Sequence, residues 1–302
     1  MSGNNFLYFK DDVKEALENG RPVVALESTL ISHGFPYPDN LKVAGEMEDI
    51  IRGYGVVPAT IAIIGGKIKV GLTEGELEFM ATSKDILKAS KRDLAAIVAK
   101  GLNGATTVAA TMVVAEKAGI KVFATGGIGG VHRGAEKTFD ISADLQELAR
   151  TPVAVVCSGA KAILDLPLTR EYLETIGVPV IGFRSEEMPA FYCRESGLKV
   201  DYVVDDEVEA AKIIGTMEDL ELGGGLLIVN PVPEEYALSM EYMNEVIKEA
   251  VKAAEKEGIK GKRLTPYLLN KIKELTGGKS LKANIELVKD NARVGAKIAK
   301  VL

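Results

Sequence analysis

The sequence predicts an α/β protein, a three-layer α/β/α sandwich with a central, mostly parallel sheet and a small β-hairpin attachment. Short apolar runs rich in valine and isoleucine alternate along the chain with longer segments of helical periodicity. Polar residues and glycines collect just after several of these runs, where strands of a parallel sheet would end. One pair of β-rich runs is separated only by Gly65 and Gly66, which indicates a hairpin.

The predicted elements follow from these two periodicities. Apolar runs predict strands over residues 22–26, 120–124, 152–156, 178–183, 202–204 and 223–229, with the two hairpin strands inside residues 58–72. Helical spacing predicts helices over residues 11–19, 40–53, 104–117, 142–150, 162–166, 208–217, 240–258 and 266–302, the last one broken at Gly277 and Gly278. No internal repeat or linker interrupts this alternation, so we expect a single domain over residues 1–302.

Composition narrows the class of partner. The chain has 302 residues, 47% of them hydrophobic, and a formal net charge of −6, with no block of lysines or arginines. These values argue against nucleic acid or an anionic membrane as the main partner, while a small anionic ligand needs only a local basic pocket. No secretory signal or bilayer-length apolar run is present, so we expect a cytoplasmic protein. Cys157 lies in the apolar run VAVVCSG, which indicates a buried thiol.

The most informative stretch is residues 121–144, where a glycine-rich loop follows a predicted strand. The loop glycines are Gly126, Gly127, Gly129, Gly130 and Gly134. A loop beyond the carboxyl end of a strand is the usual ligand crevice of an open α/β sheet, and exposed backbone N–H groups there suit phosphate. The loop does not match a dinucleotide fingerprint, because it contains His132 and Arg133 and runs on to Asp140 before any helix.

Single polar residues next to the predicted strands have both a structural and a functional interpretation. Glu27 ends a buried strand and is either a cap or ion-pair partner, the commoner role, or a pocket acid. Lys161 is either a surface cation or, when shielded from water, a nucleophile. Ser142 is explained by capping the helix that follows, whereas Asp140 precedes the cap and is the better ligand candidate.

Two more segments are candidates for binding an anion. The basic patch in residues 83–93 contains Lys84, Lys88, Lys91 and Arg92, and is more often a solvated surface than a ligand site. The predicted helix 104–117 starts near Thr106 or Thr107, so its first N–H groups are able to face an anion.

Several long motifs resemble those of the pseudouridine-5′-phosphate glycosidase family, also called the indigoidine synthase A-like family, over nearly the full length. The motifs are VALESTLISHG, VPATIAIIGG, NGATTVA, FATGGIGGVHRGAEKTFDISADLQEL, SGAKAILD, GVPVIGF, MPAF, NPVPEE and LTGGKSLKANIELV. The resemblance implies reversible cleavage of the C–C glycosidic bond of pseudouridine 5′-phosphate to uracil and ribose 5-phosphate. It also implies a divalent metal, commonly Mn²⁺, and a homotrimer.

The resemblance assigns roles to individual residues. It implies that Glu27 is the acid/base, that Lys161 is the nucleophile that forms an imine with ring-opened ribose, and that Asp140 is the metal ligand. Positions around the substrate or a metal-bound water are also implied, namely Lys88, Thr107, Val108, Thr125, His132, Ser142, Ala143, Asp144 and Asn284. A uracil that leaves through carbon has no heteroatom for simple protonation, so an amine that opens the sugar is a sensible route.

Two other classes of protein remain to be weighed. A phosphosugar- or nucleotide-binding oxidoreductase or kinase would use the glycine loop for phosphates. The sequence lacks the acidic, ribose-binding residue that follows a dinucleotide fingerprint by about 20 residues, and it lacks the P-loop of a kinase. A non-catalytic metabolite-binding protein would explain the loop but would leave Glu27 and Lys161 without a role.

Overall fold

Eleven strands form one sheet in the computed structural model, which describes residues 6–259 and 264–302. The strands are β1 (Leu7–Phe9), β2 (Val23–Leu26), β3 (Val57–Ile64), β4 (Lys67–Val70), β5 (Ile86–Ala89), β6 (Asn103–Thr106), β7 (Val122–Ala124), β8 (Ala154–Cys157), β9 (Val180–Phe183), β10 (Tyr202–Val204) and β11 (Leu226–Val229). Seven of them run parallel in the order β3-β2-β7-β8-β11-β9-β10. The predicted mostly parallel sheet is therefore confirmed.

The hairpin attachment is also confirmed. β3 continues past β2, and its second half pairs antiparallel with β4 through the turn at Gly65 and Gly66 and with β6 on its other edge. β1 and β5 extend this antiparallel part by pairing parallel with β4 and β6. This smaller part of the sheet places β5, and with it Lys88, beside the carboxyl ends of the parallel strands.

Helices cover the sheet. They are α1 (Asp11–Glu18), α2 (Asp39–Gly53), α3 (Glu74–Thr82), α4 (Leu94–Ala99), α5 (Val108–Ala118), α6 (Ala135–Thr138), α7 (Ala143–Leu148), α8 (Leu166–Thr175), α9 (Glu207–Asp219), α10 (Met240–Lys256), α11 (Leu264–Leu275) and α12 (Lys279–Val301). Every residue of β2, β7, β8 and β11 is buried, which requires cover on both faces of the sheet. Within the described ranges, none of the helices combines the length and the apolar composition needed to cross a bilayer.

The longest helix, α12, lies directly on the central strands. It packs on β2, β7 and β8 and is flanked by α2 and α9. Gly295 permits this approach, because a Cβ atom there would lie only 3.1 Å from the Cβ atom of Ala124. The close packing brings Asn284, on the same helix, towards the loop that follows β7.

Two predicted helices are partly wrong. Residues 104–106 belong to β6, and α5 begins at Val108 with Thr107 as its N-cap. The small side chains of this segment allow it to pair with both β3 and β5, which only the assembled sheet reveals. Residues 162–165 form a turn, and α8 begins at Leu166 because the side chain of Asp165 caps it by accepting a hydrogen bond from Leu168 N–H.

Candidate active site

Glu27 and Thr125 are the first residues after two neighbouring strands. Leu26 of β2 pairs with Ala124 of β7, so the next residue of each strand is placed side by side at the carboxyl edge of the sheet. The hydroxyl of Thr125 donates a hydrogen bond to Oε1 of Glu27. Thr125 itself is buried and its N–H donates to Val156 O (3.0 Å), which fixes its backbone against β8. The acid is therefore oriented by a rigid neighbour.

Lys161 reaches the same edge from the third strand. After β8 the chain stays next to the glycine loop, because Ile128 and Ala160 form a parallel bridge and Lys161 N–H donates to Ile128 O (3.1 Å). The ammonium group of Lys161 is close enough for its charge to act on Glu27. An acid and an amine thus face one another from adjacent loops, the arrangement that the resemblance implies.

Burial raises the pKa of the Glu27 carboxyl above its ordinary value. The positive charge of Lys161 and the hydrogen bond from Thr125 oppose part of this rise, because both favour the ionised form. The negative charge of Asp144 adds to it. A carboxyl that keeps its proton to higher pH than usual suits a general acid.

Two adjoining cavities meet at this pair. The large cavity, of about 630 Å³, is lined by ten of the twelve residues predicted from the sequence: Glu27, Lys88, Thr107, Val108, His132, Asp140, Ser142, Ala143, Asp144 and Lys161. The small cavity, of about 50 Å³, shares Glu27, Lys88 and Lys161 with it and adds the remaining two, Thr125 and Asn284. The fold therefore brings all twelve residues together, although their individual roles stay predictions.

The structure gives the glycine-rich loop a packing role, and its contact with phosphate stays a prediction. Two N–H groups of the loop are used inside the protein: Ile128 N–H donates to Gly159 O (3.1 Å) and Gly129 N–H to Asp144 Oδ2 (2.9 Å). A Cβ atom on Gly129 would lie 2.1 Å from Ser142 Oγ, and one on Gly127 would lie 2.6 Å from a ring carbon of Phe191. These glycines are required by close packing of the loop against its neighbours.

Asp144 ties this loop to the start of α5. Its Oδ1 accepts a hydrogen bond from Ala109 N–H and its Oδ2 accepts the one from Gly129, both at 2.9 Å. The N-terminal turn of α5 is thereby held against the cavity wall, with Val108 as its first helical residue. The described contacts of Asp144 support positioning of these two backbone segments.

The large cavity carries most of the basic patch. Lys88, Lys91 and Arg92 line it, whereas the exposed Lys84 does not. Lys91 is paired with the buried Glu147 at 2.8 Å. Lys84, Lys91 and Arg92 are exposed, in agreement with the solvated surface that the sequence favours, whereas Lys88 is half-buried on the cavity wall. Sequence analysis missed Arg150, which lines the cavity from the end of α7.

Asp140 is exposed on the wall of the large cavity, at the end of the loop that includes His132. His132 N–H donates to Asp140 O (3.0 Å), which closes this loop. Among the described residues no cluster of three or more histidine, cysteine or acidic side chains is placed to hold a metal ion. One exposed carboxylate fits a hard cation that keeps several waters, such as Mg²⁺ or Mn²⁺, and does not fit zinc.

Sequence reasoning also missed two groups around the small cavity. His33 lies in a short π-helical turn, Leu30–Gly34, and lines the small cavity. The turn follows closely after Glu27 at the end of β2, and this position near a strand end is the sequence signal that could have identified His33. Thr265 and Pro266 come from α11, more than 100 residues away from the glycine loop, and no local pattern marks them.

Comparisons with known proteins agree with this geometry. A family model described as "Indigoidine synthase A like protein" matches residues 12–301. The chain is 72% identical over 296 residues to a pseudouridine-5′-phosphate glycosidase of Caldanaerobacter subterraneus subsp. tengcongensis, with 98% of this chain and 96% of the relative covered. It is 62% identical over 300 residues to the same enzyme of Petrotoga mobilis, with 99% and 98% covered.

Two solved structures share the fold. The crystal structure of the prealnumycin C-glycosynthase AlnA in complex with ribulose 5-phosphate superposes with a TM-score of 0.92 at 42% identity, covering 99% of this chain and 98% of that one. An indigoidine synthase A-like protein of Thermotoga maritima superposes with a TM-score of 0.89 at 35% identity, covering 99% and 97%.

Proposed function

The chain belongs to the indigoidine synthase A-like family, and from that premise we propose that it is a pseudouridine-5′-phosphate glycosidase. It reversibly cleaves the C–C glycosidic bond of pseudouridine 5′-phosphate to uracil and ribose 5-phosphate. The observation that carries the proposal is the meeting of Glu27, Thr125 and Lys161 at the junction of the two cavities. The relatives' names and the ribulose 5-phosphate bound to AlnA support a sugar phosphate as the ligand.

Lys161 is the proposed nucleophile. Its amine bonds to C1′ as the C1′–O4′ bond of the ribose breaks, and Glu27 gives its proton to O4′. Glu27 takes a proton back from the Lys161 nitrogen and passes it to C5 of uracil, so the C1′–C5 bond breaks while the nitrogen lone pair of Lys161 forms an imine to C1′. Water hydrolyses the imine and releases ribose 5-phosphate, which restores the lysine. The raised pKa of Glu27 supports its part, because the carboxyl is still able to donate a proton at a pH where an ordinary glutamate is ionised.

The large cavity suits the phosphate end of the substrate. Lys88 lies on its wall next to the N-terminal turn of α5, where Thr107 caps the helix and Val108 begins it. A cation and the positive end of a helix dipole together favour a dianion, although Ala109 N–H and Ala110 N–H of α5 already donate to Asp144 and Thr107. Arg92 and Arg150 add positive charge on the same wall.

A divalent cation such as Mn²⁺ is proposed to be held by Asp140, with waters in most other positions. When bound, it would supply positive charge that stabilises the anionic sugar phosphate. Ser142 and His132 line the same cavity, and we propose that they bind the waters of the ion or the sugar phosphate. The family resemblance supports the metal, and one exposed carboxylate is compatible with it.

The trimeric state and cytoplasmic location also stay predictions, based on the resemblance and on the composition of the chain. Light scattering of the purified protein measures the subunit number directly.

The test of the proposed function is an absorbance assay of pseudouridine 5′-phosphate cleavage, with and without added Mn²⁺. Cleavage to uracil and ribose 5-phosphate supports the proposal, and its absence with the metal present overturns it. Borohydride reduction with ribose 5-phosphate adds a second readout, because only an imine-forming enzyme gains the mass of that sugar. A kinase or oxidoreductase would gain none.

A further inference from the structure

Asn291 is a fully buried polar side chain at the carboxyl edge of the sheet. It lies on α12 and lines neither of the two cavities of the candidate active site. Its Nδ2 donates hydrogen bonds to Thr125 O (2.8 Å) and to Ser158 Oγ (3.1 Å), and its Oδ1 accepts one from Asn230 Nδ2 (3.1 Å). These three partners are the first residues after β7, β8 and β11, which are neighbours in the sheet. One amide from a helix therefore binds three consecutive strand ends.

The partners of Asn291 require an amide in one orientation. The carbonyl oxygen of Thr125 only accepts hydrogen bonds, so the NH2 group must face it, which leaves the amide oxygen to accept from Asn230. An apolar side chain at this position would take a partner away from both buried groups, at a cost in free energy. The helix comes this close because residue 126 is glycine, since a Cβ atom there would lie 2.8 Å from Val288 Cγ1. Asparagine is therefore specifically suited to this position.

The bond to Thr125 leads to the proposed acid. Thr125 N–H donates to Val156 O (3.0 Å), and Thr125 O accepts from Asn291, so the backbone is held on both sides of this residue. The hydroxyl of the same residue donates to Glu27 Oε1. The direction of the hydroxyl, and with it the orientation of the acid, therefore depends on the buried amide.

The bond to Ser158 leads to the proposed nucleophile, which lies three residues further along at Lys161. Ser158 N–H donates to Gly126 O (2.9 Å) and Lys161 N–H donates to Ile128 O (3.1 Å), so the segments that follow β7 and β8 stay paired. Asn291 holds this pair of segments from the side of α12, because it bonds to one residue of each. The segments that position the acid and the amine are thus held by one side chain.

We propose that Asn291 is a positioning residue, which keeps the Thr125 hydroxyl on Glu27 and holds the segment that carries Lys161 beside it. This inference rests on the proposed function. Because Asn291 lines neither cavity, its loss should slow the reaction and change the protonation of Glu27, with little effect on substrate binding.

The test is the variant Asn291→Ala, alone and combined with Thr125→Val. We expect kcat for pseudouridine 5′-phosphate to fall about 10- to 100-fold, the cost of misplacing reacting groups by up to about 1 Å, while KM changes little. The alkaline limb of kcat/KM should move upward, because a displaced Thr125 hydroxyl no longer favours ionised Glu27, whose raised pKa then rises further. The combined variant should show no shift beyond that of Thr125→Val, since the hydroxyl through which Asn291 acts is already gone.

Trapping with borohydride and ribose 5-phosphate tests the other arm of the proposal. The initial rate of adduct formation should fall in Asn291→Ala, because the segment that carries Lys161 is held less firmly. An adduct rate equal to that of the native protein would overturn the inference.

The combined variant also separates the Thr125 contact from other causes of a shift. Three charged groups act on Glu27 as well, namely those of Lys161, Asp144 and Lys88. If Asn291→Ala acted by displacing them, the alkaline limb would shift equally with and without Thr125→Val, and the inference would be overturned.

Asn103→Ala is the control for loss of stability alone. Asn103 Oδ1 accepts a hydrogen bond from Gly65 N–H (2.8 Å) at the hairpin turn, and this residue lines neither cavity. It should lower the melting temperature without moving the alkaline limb. The same pattern in Asn291→Ala, a lower melting temperature with an unmoved limb, would overturn the positioning role.

A second variant keeps the inference testable if Asn291→Ala does not fold. Asn230→Ala removes the donor to Asn291 Oδ1 and leaves the amide of Asn291 in the chain, free to turn away from Thr125. An upward shift of the alkaline limb that is absent in the Thr125→Val background supports the inference, and an unmoved limb overturns it. A native protein without glycosidase activity would instead overturn the proposed function, so the two failures are distinguishable.

Discussion

The Thr125 hydroxyl donates a hydrogen bond to the Glu27 carboxylate across two neighbouring parallel strands. The register of β2 and β7 produces this pair, since Leu26 and Ala124 are opposite each other and the next residue of each strand turns into the cavity region. Burial raises the pKa of the Glu27 carboxyl, and the hydrogen bond from Thr125 opposes this rise because it favours the ionised form. It therefore sets the balance between the two protonation states of the proposed acid.

Thr125→Val should move the alkaline limb of the pH profile upward. Removing the hydrogen bond disfavours ionised Glu27, so its pKa, already raised by burial, rises further. A step that needs protonated Glu27 proceeds below this pKa and is lost as the pH rises through it, so activity should persist to higher pH. The pH dependence of kcat/KM measures the shift. Thr175→Val, an exposed change on α8, is the control and should leave the profile in place.

Lys161→Ala should abolish both turnover and the adduct trapped with borohydride, because the amine that bonds to C1′ is gone. Peptide mapping of the reduced native protein should find the sugar on Lys161. Lys67→Ala is the matched control, since Lys67 is an exposed lysine on β4 that lines neither cavity. Label on another lysine, or full activity in Lys161→Ala, would refute the mechanism while leaving the fold untouched.

Lys88→Ala should raise the KM for pseudouridine 5′-phosphate by roughly 10- to 100-fold, the range for losing a charged hydrogen bond. It should also reduce the preference of the enzyme for the nucleotide over unphosphorylated pseudouridine. Lys84→Ala is the control, because Lys84 belongs to the same basic stretch but is exposed away from both cavities. Similar kcat/KM values of the native enzyme for nucleoside and nucleotide would count against a phosphate site.

Asp140→Ala should lose most activity, and high concentrations of Mn²⁺ should restore it only in part, because the strongest protein ligand is missing. Calorimetric titration of Mn²⁺ into the protein gives a readout that does not depend on turnover, and affinity should fall in this variant. Asp49→Ala, an exposed change on α2, should bind the ion like the native protein. Unchanged activity in the presence of a strong chelator would contradict the metal site.

Gly129→Ala should destabilise the protein by about 1–3 kcal/mol or more, the usual cost of overpacking. The added Cβ would lie 2.1 Å from Ser142 Oγ and 2.8 Å from Asp144 Oδ2, so the loop and α7 would have to separate. Gly45→Ala is the matched control, because nothing lies within 4 Å of a Cβ at that position in α2. It should raise stability by roughly 0.5–1 kcal/mol. Calorimetric melting of both variants measures the difference, and equal melting temperatures would disprove the packing role.

The sequence by itself determined the parallel sheet and the edge at which the site lies. Buried runs such as residues 22–26 and 152–156 are short and rich in valine, which predicts strands covered on both faces, and β2 and β8 are buried at every residue. Carboxyl ends of parallel strands share one edge, so Glu27, Thr125 and Lys161 had to converge once the strands were neighbours. The alternation of apolar runs with segments of helical periodicity is a local property of the chain, so it can be recognised from the sequence without knowing the tertiary structure.

Only the tertiary structure decided how the polar groups are used. Five glycines predict a phosphate loop, and the structure adds a packing role for four of them: a Cβ atom at Gly126, Gly127, Gly129 or Gly130 would lie within 3 Å of atoms from other segments, such as Phe191 and Ser142. Asn103–Thr106 forms a strand because it pairs with the edges of β3 and β5. Local sequence propensity does not predict these pairings. The hydrogen bonds of Asn291 to three strand ends likewise exist only in the folded chain, because what a side chain contacts depends on residues far away along the sequence.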